Sequence, residues 1–462
     1  MNTMQLTKFL FFIVCISFVL AIFCSVENPD IYYYMGSIRL LLDGKVPFVD
    51  FHIGYTPLSF YMAYLPASFF GTGNTAALAI ETFMNFLNAG LVYYLLRKNV
   101  QNKVLCFFFT AFYLSSVFFL DGMCYMLEPY VTFWGLLSLI ALYKNKLWTI
   151  FVAGICSFMS FWSKQYGLGY VILGIFYLLL YHRISWQSLF GRMFVFLVGL
   201  FGAAFCMIEL LLMQGVSLAS MFMFSGDTYE KLGLIGMLEG YGFLIIAVPF
   251  FPVMVYLIVK NFKSFCEDNF MVVCLCGVFG FMLTTYVRSY VHYIQLPLPF
   301  VMLLGAMLLD KYCIGKNDER LMKWFKISAI VPLSIMFYFD YNFIFHNERI
   351  AVNETANEIA SIIPKGTEKV YVSSKLLCIG NINRYGAPML EKWGMSNGFM
   401  EEGEALREVI MDADSYVMDP AKLDYLRQNE SDLLKHIEEG RIRTKIACRD
   451  KRFIAIVYSK KK

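Results

Sequence analysis

The sequence predicts a polytopic α-helical membrane protein of about eleven transmembrane helices, followed by a C-terminal α/β extracytoplasmic domain. Three observations carry that reading. Of 462 residues, 58% are hydrophobic and only 16% charged, where soluble domains carry about a quarter. The charges are also segregated: residues 346–462 hold 19 Lys+Arg and 18 Asp+Glu, while residues 1–345 hold 20 and 17. Finally, residues 1–345 fall into apolar runs near the length of about 20 that crosses a bilayer. A membrane domain over 1–345 and a soluble domain over 346–462 are therefore expected. A net charge of +4 without a basic patch or zinc-finger spacing excludes nucleic acid as a partner.

The first run, 6–24, has Lys8 ahead of 18 uncharged residues and no small-x-small cleavage site after it. It reads as a signal anchor rather than a cleaved signal peptide. Ten further runs follow, at 74–96, 103–120, 123–143, 147–163, 167–181, 190–214, 240–259, 270–287, 294–310 and 324–345. With the N-terminus in the cytoplasm, the cytoplasmic side collects 15 of the 20 basic residues of this part. That bias sets orientation, and an odd number of spans leaves the tail outside. The outer side then carries a long loop, 25–73, in which two aromatic-faced amphipathic stretches are separated by Gly44, Pro47 and Pro57. Such stretches suit the membrane interface, and a long ordered loop is usually functional. The tail reads as strands at 369–373, 415–418 and 453–458 with helices at 401–411 and 421–439. It holds no phosphate-binding glycine loop or nucleophile elbow. The twelve cysteines form no framework; most lie singly in apolar runs, and Cys378 and Cys448, the two in the tail, could pair if the tail lies outside the cytosol, with unpaired thiols the preferred reading.

Carboxylates inside spans are costly and face the protein interior. Glu81, Glu128, Glu209 and Asp340 all fall in the outer third of their spans, level with the loop that carries Asp30, Asp43 and Asp50. Each alone reads as a helix-end pair or cap, but their shared depth predicts a polar chamber open to the outer face. Lys164-Gln165, in a short outer turn, join them. So do Arg288, Tyr290, His292 and Tyr293, an Arg, a His and tyrosines packed just before a span. The planar fork of Arg suits phosphate or carboxylate oxygens.

Three segments together resemble a known family. The first runs through Glu27-Asn28-Pro29-Asp30, then Leu40-Leu41-Leu42-Asp43-Gly44-Lys45-Val46-Pro47-Phe48-Val49-Asp50-Phe51, then Thr56-Pro57-Leu58. It is similar to the first outer loop of the C-type glycosyltransferases, in particular the bacterial aminoarabinose-transferase, protein O-mannosyltransferase and rhizobial galacturonosyltransferase families. Trp162-Ser163-Lys164-Gln165 resembles the family's Lys-Gln turn. Arg288-Ser289-Tyr290-Val291-His292-Tyr293-Ile294-Gln295-Leu296-Pro297 resembles its Arg-x-x-x-His-Tyr-x-x-Gln-x-x-Pro run. The likeness spans residues 1–310 in order. It departs at Ile31, where many relatives have Glu, and at Tyr55-Thr56, where many have Glu-Lys. In the aminoarabinose transferases that Lys is associated with the lipid phosphate, so here Lys164 or Arg288 would substitute.

The resemblance implies a polyprenyl-phosphate-sugar donor and transfer to a glycan, lipid or protein hydroxyl at the outer face, with inversion. In that scheme Asp30 is the general base, and Arg288 and Lys164 stabilise the departing phosphate. Asp50 and His52 orient Asp30 or the sugar. Glu128, Gln165, His292 and Tyr293 complete the donor and acceptor site. No cofactor is expected. A divalent metal among Asp30, Asp50 and His52 is the minor reading, because two cations already neutralise a phosphate monoester, and Asp50 could equally cap a turn. The rival classes are a transporter or flippase of lipid-linked sugars, a polysaccharide polymerase and an inactive assembly subunit. The absence of matched halves argues against the first of these.

Overall fold

The computed structural model describes residues 3–22, 29–51, 53–122, 124–182, 185–221, 232–314, 348–364, 370–373, 403–448 and 454–460, with single positions at 323, 327, 330, 331, 334, 335, 337, 338 and 367. The side chains of Pro29, Asp30 and Tyr32 are not among what is described. The chain divides into two compact units. One comprises Met1–Ala21, Glu81–Leu210 and Tyr229–Tyr341; the other comprises Ile22–Ile80, Leu211–Thr228 and Asn342–Lys462.

The first unit is helical. Its helices are α1 (Thr3–Ala21), α4 (Asn74–Asn99, from Glu81 on), α5 (Lys103–Phe119), α6 (Glu128–Tyr143), α7 (Leu147–Ser163), α8 (Leu168–His182) and α9 (Trp186–Met213, to Leu210). After these come α11 (Leu234–Ala247), α12 (Phe251–Lys260), α13 (Phe262–Cys266), α14 (Asn269–Met282) and α15 (Leu298–Tyr312). The segment read as a signal anchor packs within this unit: Phe18 of α1 lies edge-on to Phe118 of α5 at 5.3 Å and is fully buried. Helices α6 and α7 form a tight hairpin in which Ser138 Oγ lies 3.0 Å from the Ala153 carbonyl and 2.8 Å from Ser157 Oγ. Helix α7 then meets α9 backbone to backbone. A Cβ on Gly154 would collide with the Phe196 carbonyl, and one on Gly199 with that of Phe151. Small residues at such crossings let helices approach closely where lipid gives no hydrophobic drive.

Among the described residues, three helices are long and apolar enough to cross a membrane: Thr75–Asn99, Trp186–Met213 and Asn269–Tyr286. The run read as one span over 240–259 is instead two helices, α11 and α12, bent by 99°. The break falls at Val248-Pro249-Phe250. Proline has no amide to donate and clashes with the preceding turn, so the helix stops there and restarts.

The second unit holds α2 (Pro29–Leu42), α3 (Leu58–Phe70), the start of α4, α10 (Leu218–Met221) and the tail. Helices α2 and α3 are the two amphipathic stretches of the first outer loop. Tyr34 of α2 sits among Tyr33, Tyr55 and Phe60, with ring centroids 5.5 to 6.0 Å apart. Leu65, Phe69 and Phe70 at the far end of α3 are exposed. The turn between these helices is set by Gly44 at φ 81° and by Asp50, whose Oδ2 accepts from the Val46 amide at 2.7 Å.

The tail is a four-stranded sheet flanked by helices. Strands β1 (Val370–Val372), β2 (Ser415–Met418), β3 (Arg441–Ala447) and β4 (Ile454–Lys460) lie in the order β1-β2-β4-β3. β1 and β2 are parallel, and the other pairs are antiparallel. The helix expected over 421–439 is two, Pro420–Asn429 and Ser431–Glu438. Glu430 leaves the helical region between them, with φ −141° and ψ 56°.

Candidate functional site

Three helix-to-helix turns of the first unit meet at one place: α5 to α6, α7 to α8, and α14 to α15. Each presents a polar group because its helix ends locally. Helix α6 starts at Glu128-Pro129, with proline where its missing amide costs nothing. Helix α7 stops at Ser163, and Lys164 adopts an extended conformation before a 3-10 turn, Gln165–Gly167. A second 3-10 turn, Val291–Gln295, carries His292 and Tyr293 into α15.

At the centre, Lys164 Nζ meets Glu128 Oε1 at 2.6 Å, with the two side chains 1% and 0% exposed. Burying both charges costs several kcal/mol per ion and is offset only by good geometry and further contacts. Those contacts include two aromatic faces. The Lys164 ammonium lies 5.4 Å from the Tyr166 ring centroid and 5.0 Å from that of Tyr293, both within cation–π range. These rings pack edge to face at 4.9 Å. His292 sits edge-on to Tyr293 at 4.8 Å and stacks on Tyr290 at 5.4 Å. Its Nδ1 lies 3.5 Å from Asp121 Oδ2. At the open side, the Arg288 guanidinium covers the Tyr290 ring at 5.3 Å and donates to its hydroxyl at 2.8 Å. Arg288 is half-buried, so of the two predicted cations it is the one within reach of solvent, while Lys164 is sealed against Glu128.

A polar seam of α4 backs this cluster. Glu81, Asn85 and Asn88 share one helix face and are buried. Asn85 and Asn88 donate to the carbonyls of Gly122 and Pro129 at 3.2 and 2.9 Å. Among the described residues neither carboxylate oxygen of Glu81 has a hydrogen-bond partner.

The predicted site residues thus fall in two places. Glu128, Lys164, Gln165, Arg288, His292 and Tyr293 are gathered in the first unit. Asp30 and Asp50 belong to the second, Asp30 in the first turn of α2 and Asp50 exposed and capping a turn. His52, Asp340 and Cys378 lie outside the described residues. Of the four acids expected at one depth, Glu81 and Glu128 are buried and Glu209 is exposed on α9. Among the described residues no three His, Cys, Asp or Glu come close enough to hold a metal ion. The sequence reading missed Asp121 and Tyr166. Asp121 follows directly on the end of an apolar run, in an Asp-Gly pair on the same side as Lys164, which was the signal available.

No protein-family model matches the chain, and no curated protein matches its sequence. Solved structures do. ArnT from Cupriavidus metallidurans, an aminoarabinose transferase, superposes with a TM-score of 0.63 both bound to undecaprenyl phosphate and in the apo state. Identity is 12% and 13%, over 98% of this chain and 97% of that one. The archaeal oligosaccharyltransferase AglB from Archaeoglobus fulgidus, in complex with an inhibitory peptide and a dolichol-phosphate, has a TM-score of 0.49 at 12% identity, over 98% of this chain and 74% of its own. The likeness to ArnT runs nearly end to end on both sides and shows that the two share a fold.

Proposed function

We propose that this chain, built on the fold of an aminoarabinose transferase, is an integral membrane glycosyltransferase that moves a sugar from a polyprenyl-phosphate donor to an acceptor hydroxyl at the outer face. The observation that carries the reading is the conjunction of that fold, matched over 98% of the chain, with a cluster of Arg288, His292 and the Lys164–Glu128 pair at three helix turns. ArnT was solved with undecaprenyl phosphate bound. A polyprenyl phosphate places its chain in lipid and its charge at headgroup level, where a half-buried Arg can meet it.

In the reaction the acceptor oxygen attacks the anomeric carbon and the carbon–phosphate-oxygen bond breaks. The electron pair leaves on polyprenyl phosphate, and the configuration inverts. The acceptor proton passes to Asp30 as general base. Arg288 takes the phosphate oxygens directly, a preorganised cation where charge develops. Lys164 adds positive potential from beneath, held in place by Glu128. Tyr293 and Gln165 line the same turns, and Asp50 and His52 support the Asp30 loop. The topology belonging to this reading has eleven spans, a cytoplasmic N-terminus and an extracytoplasmic tail over 346–462. The tail stabilises the membrane domain or helps hold the acceptor.

The test is transfer of radiolabelled sugar from a panel of polyprenyl-phosphate sugars, in membranes containing wild type or Asp30→Asn with the host's acceptor extract. A labelled product formed by wild type and reduced at least a hundredfold in Asp30→Asn, the scale of a lost general base, is expected. No transfer from any donor by well-folded wild type would sink the reading. Movement of a lipid-linked sugar across vesicles that is indifferent to Asp30→Asn would replace it with a flippase.

A further inference from the structure

Asp121 lies in the turn between α5 and α6 with a left-handed backbone, φ 62°. Outside glycine that conformation is uncommon and marks local strain. The surroundings hold it from three sides. The preceding Leu120 carbonyl accepts from the Gln295 side chain. The following Gly122 carbonyl accepts from Asn85, and the Gly122 amide donates to the Val117 carbonyl at 2.8 Å. A side chain at Gly122 would strike that same carbonyl. The turn is therefore fixed to α4, to α5 and to the 3-10 turn that bears His292. The imidazole opposite is equally fixed, face-on to Tyr290 and edge-on to Tyr293. What the two rigid pieces set is one contact, Asp121 Oδ2 to His292 Nδ1 at 3.5 Å.

We propose that Asp121 is a positioning residue that holds His292 as its Nδ1–H tautomer, so that Nε2 presents a lone pair to a hydroxyl of the bound sugar or acceptor. A carboxylate only accepts, so the neutral ring meets it with Nδ1–H and leaves Nε2 as an acceptor. An acceptor nitrogen repels phosphate oxygens and takes a hydroxyl proton in a hydrogen bond. The division of labour follows: Arg288 reads the anion, and His292 reads a hydroxyl. No proton changes owner at His292 in the transfer step. The assignment of a substrate hydroxyl rests on the glycosyltransferase reading; the tautomer does not.

The experiment is 15N NMR of histidine-labelled full-length protein in lipid nanodiscs at alkaline pH, where the chain's five histidines leave few signals. The His292 pair is assigned by its loss in His292→Gln. Wild type should show a protonated Nδ1 and an unprotonated Nε2. Asp121→Gly, which suits the backbone and removes the carboxylate, should shift His292 toward Nε2–H and lower kcat for sugar transfer about tenfold, the worth of one hydrogen bond of about 1.4 kcal/mol, with donor KM little changed. Asp121→Asn, which also tolerates this backbone, keeps an acceptor and should retain part of the Nδ1–H population and of the rate. An Nε2–H tautomer in wild type, or one unmoved by Asp121→Gly, overturns the proposal. If neither variant folds, the wild-type spectrum alone decides it. A tautomer that switches as expected in a protein without transfer activity would leave the positioning role standing and remove the reaction.

Discussion

The Lys164–Glu128 pair shows how much a single buried contact can commit a chain to. Neither side chain has water to fall back on, so removing one partner strands the other charge. Such losses run to about 3–5 kcal/mol, whereas replacing both partners with apolar residues is often near neutral. Lys164→Met and Glu128→Gln should therefore each lower the thermal unfolding midpoint sharply in detergent. The pair Lys164→Met with Glu128→Leu should recover much of the loss while remaining inactive. Additive losses in this cycle would mean the two side chains act independently. Asp50 makes the opposite case. It is exposed and caps the turn at Val46, so Asp50→Ala should cost only about 1 kcal/mol, the scale of a cap. A loss of transfer far beyond that destabilisation would instead place Asp50 in the chemistry.

At the scale of elements, legibility in the sequence tracked the strength of local pattern. The long helices, and the turns at Lys164 and His292, announced themselves by apolar runs with polar residues at their ends. What stayed hidden was set by partners remote in sequence. Strand β3, Arg441–Ala447, reads as Arg-Ile-Arg-Thr-Lys-Ile-Ala, charged at alternate positions, and only its pairing with β4 along seven residues makes it a strand. The 99° bend at Pro249 was visible as a proline within a run, but the hydropathy of the run masked it. Asp121 was passed over because a turn residue's worth depends on the histidine opposite. The tail sheet also makes a prediction in pH. Burial pushes the Tyr416 and Tyr458 hydroxyls above their ordinary value of about 10. The folded state thus favours the protonated phenol, and that stability is complete below the ordinary value and lost as pH rises through the folded one. Alkaline titration should show tyrosinate absorbance rising late and together with loss of the tail's sheet signal. Tyr416→Phe, which gives up hydrogen bonds to the Ile410 and Ala413 carbonyls, should lower stability at neutral pH and make the alkaline loss smaller, because one of the two buried phenols no longer titrates.

For the whole molecule, the exposed surface and the charge bias make one demand between them. Phe190, Phe194, Phe201 and Phe205 on α9 are 64–69% exposed, a contiguous apolar face that water would not tolerate and that a bilayer covers. The bias of 15 basic residues to five across successive loops then orients the chain, because the cytoplasmic side retains Lys and Arg. Under that rule the loop containing Lys144 is expected to be cytoplasmic, and the proposed eleven spans would carry the tail to the other side. Lys144 and Lys435 are both exposed, which makes them suitable reporters. A cysteine at Lys435→Cys should react with a membrane-impermeant maleimide in intact cells above the background of the parent protein. One at Lys144→Cys should react only after permeabilisation. Reaction of both from outside would break the charge rule at the α6–α7 turn. Protection of both would make the number of spans even and bring the tail inside, away from any outer-face acceptor. The second outcome would leave the Lys164–Glu128 cluster intact but strip the tail of a role in holding that acceptor.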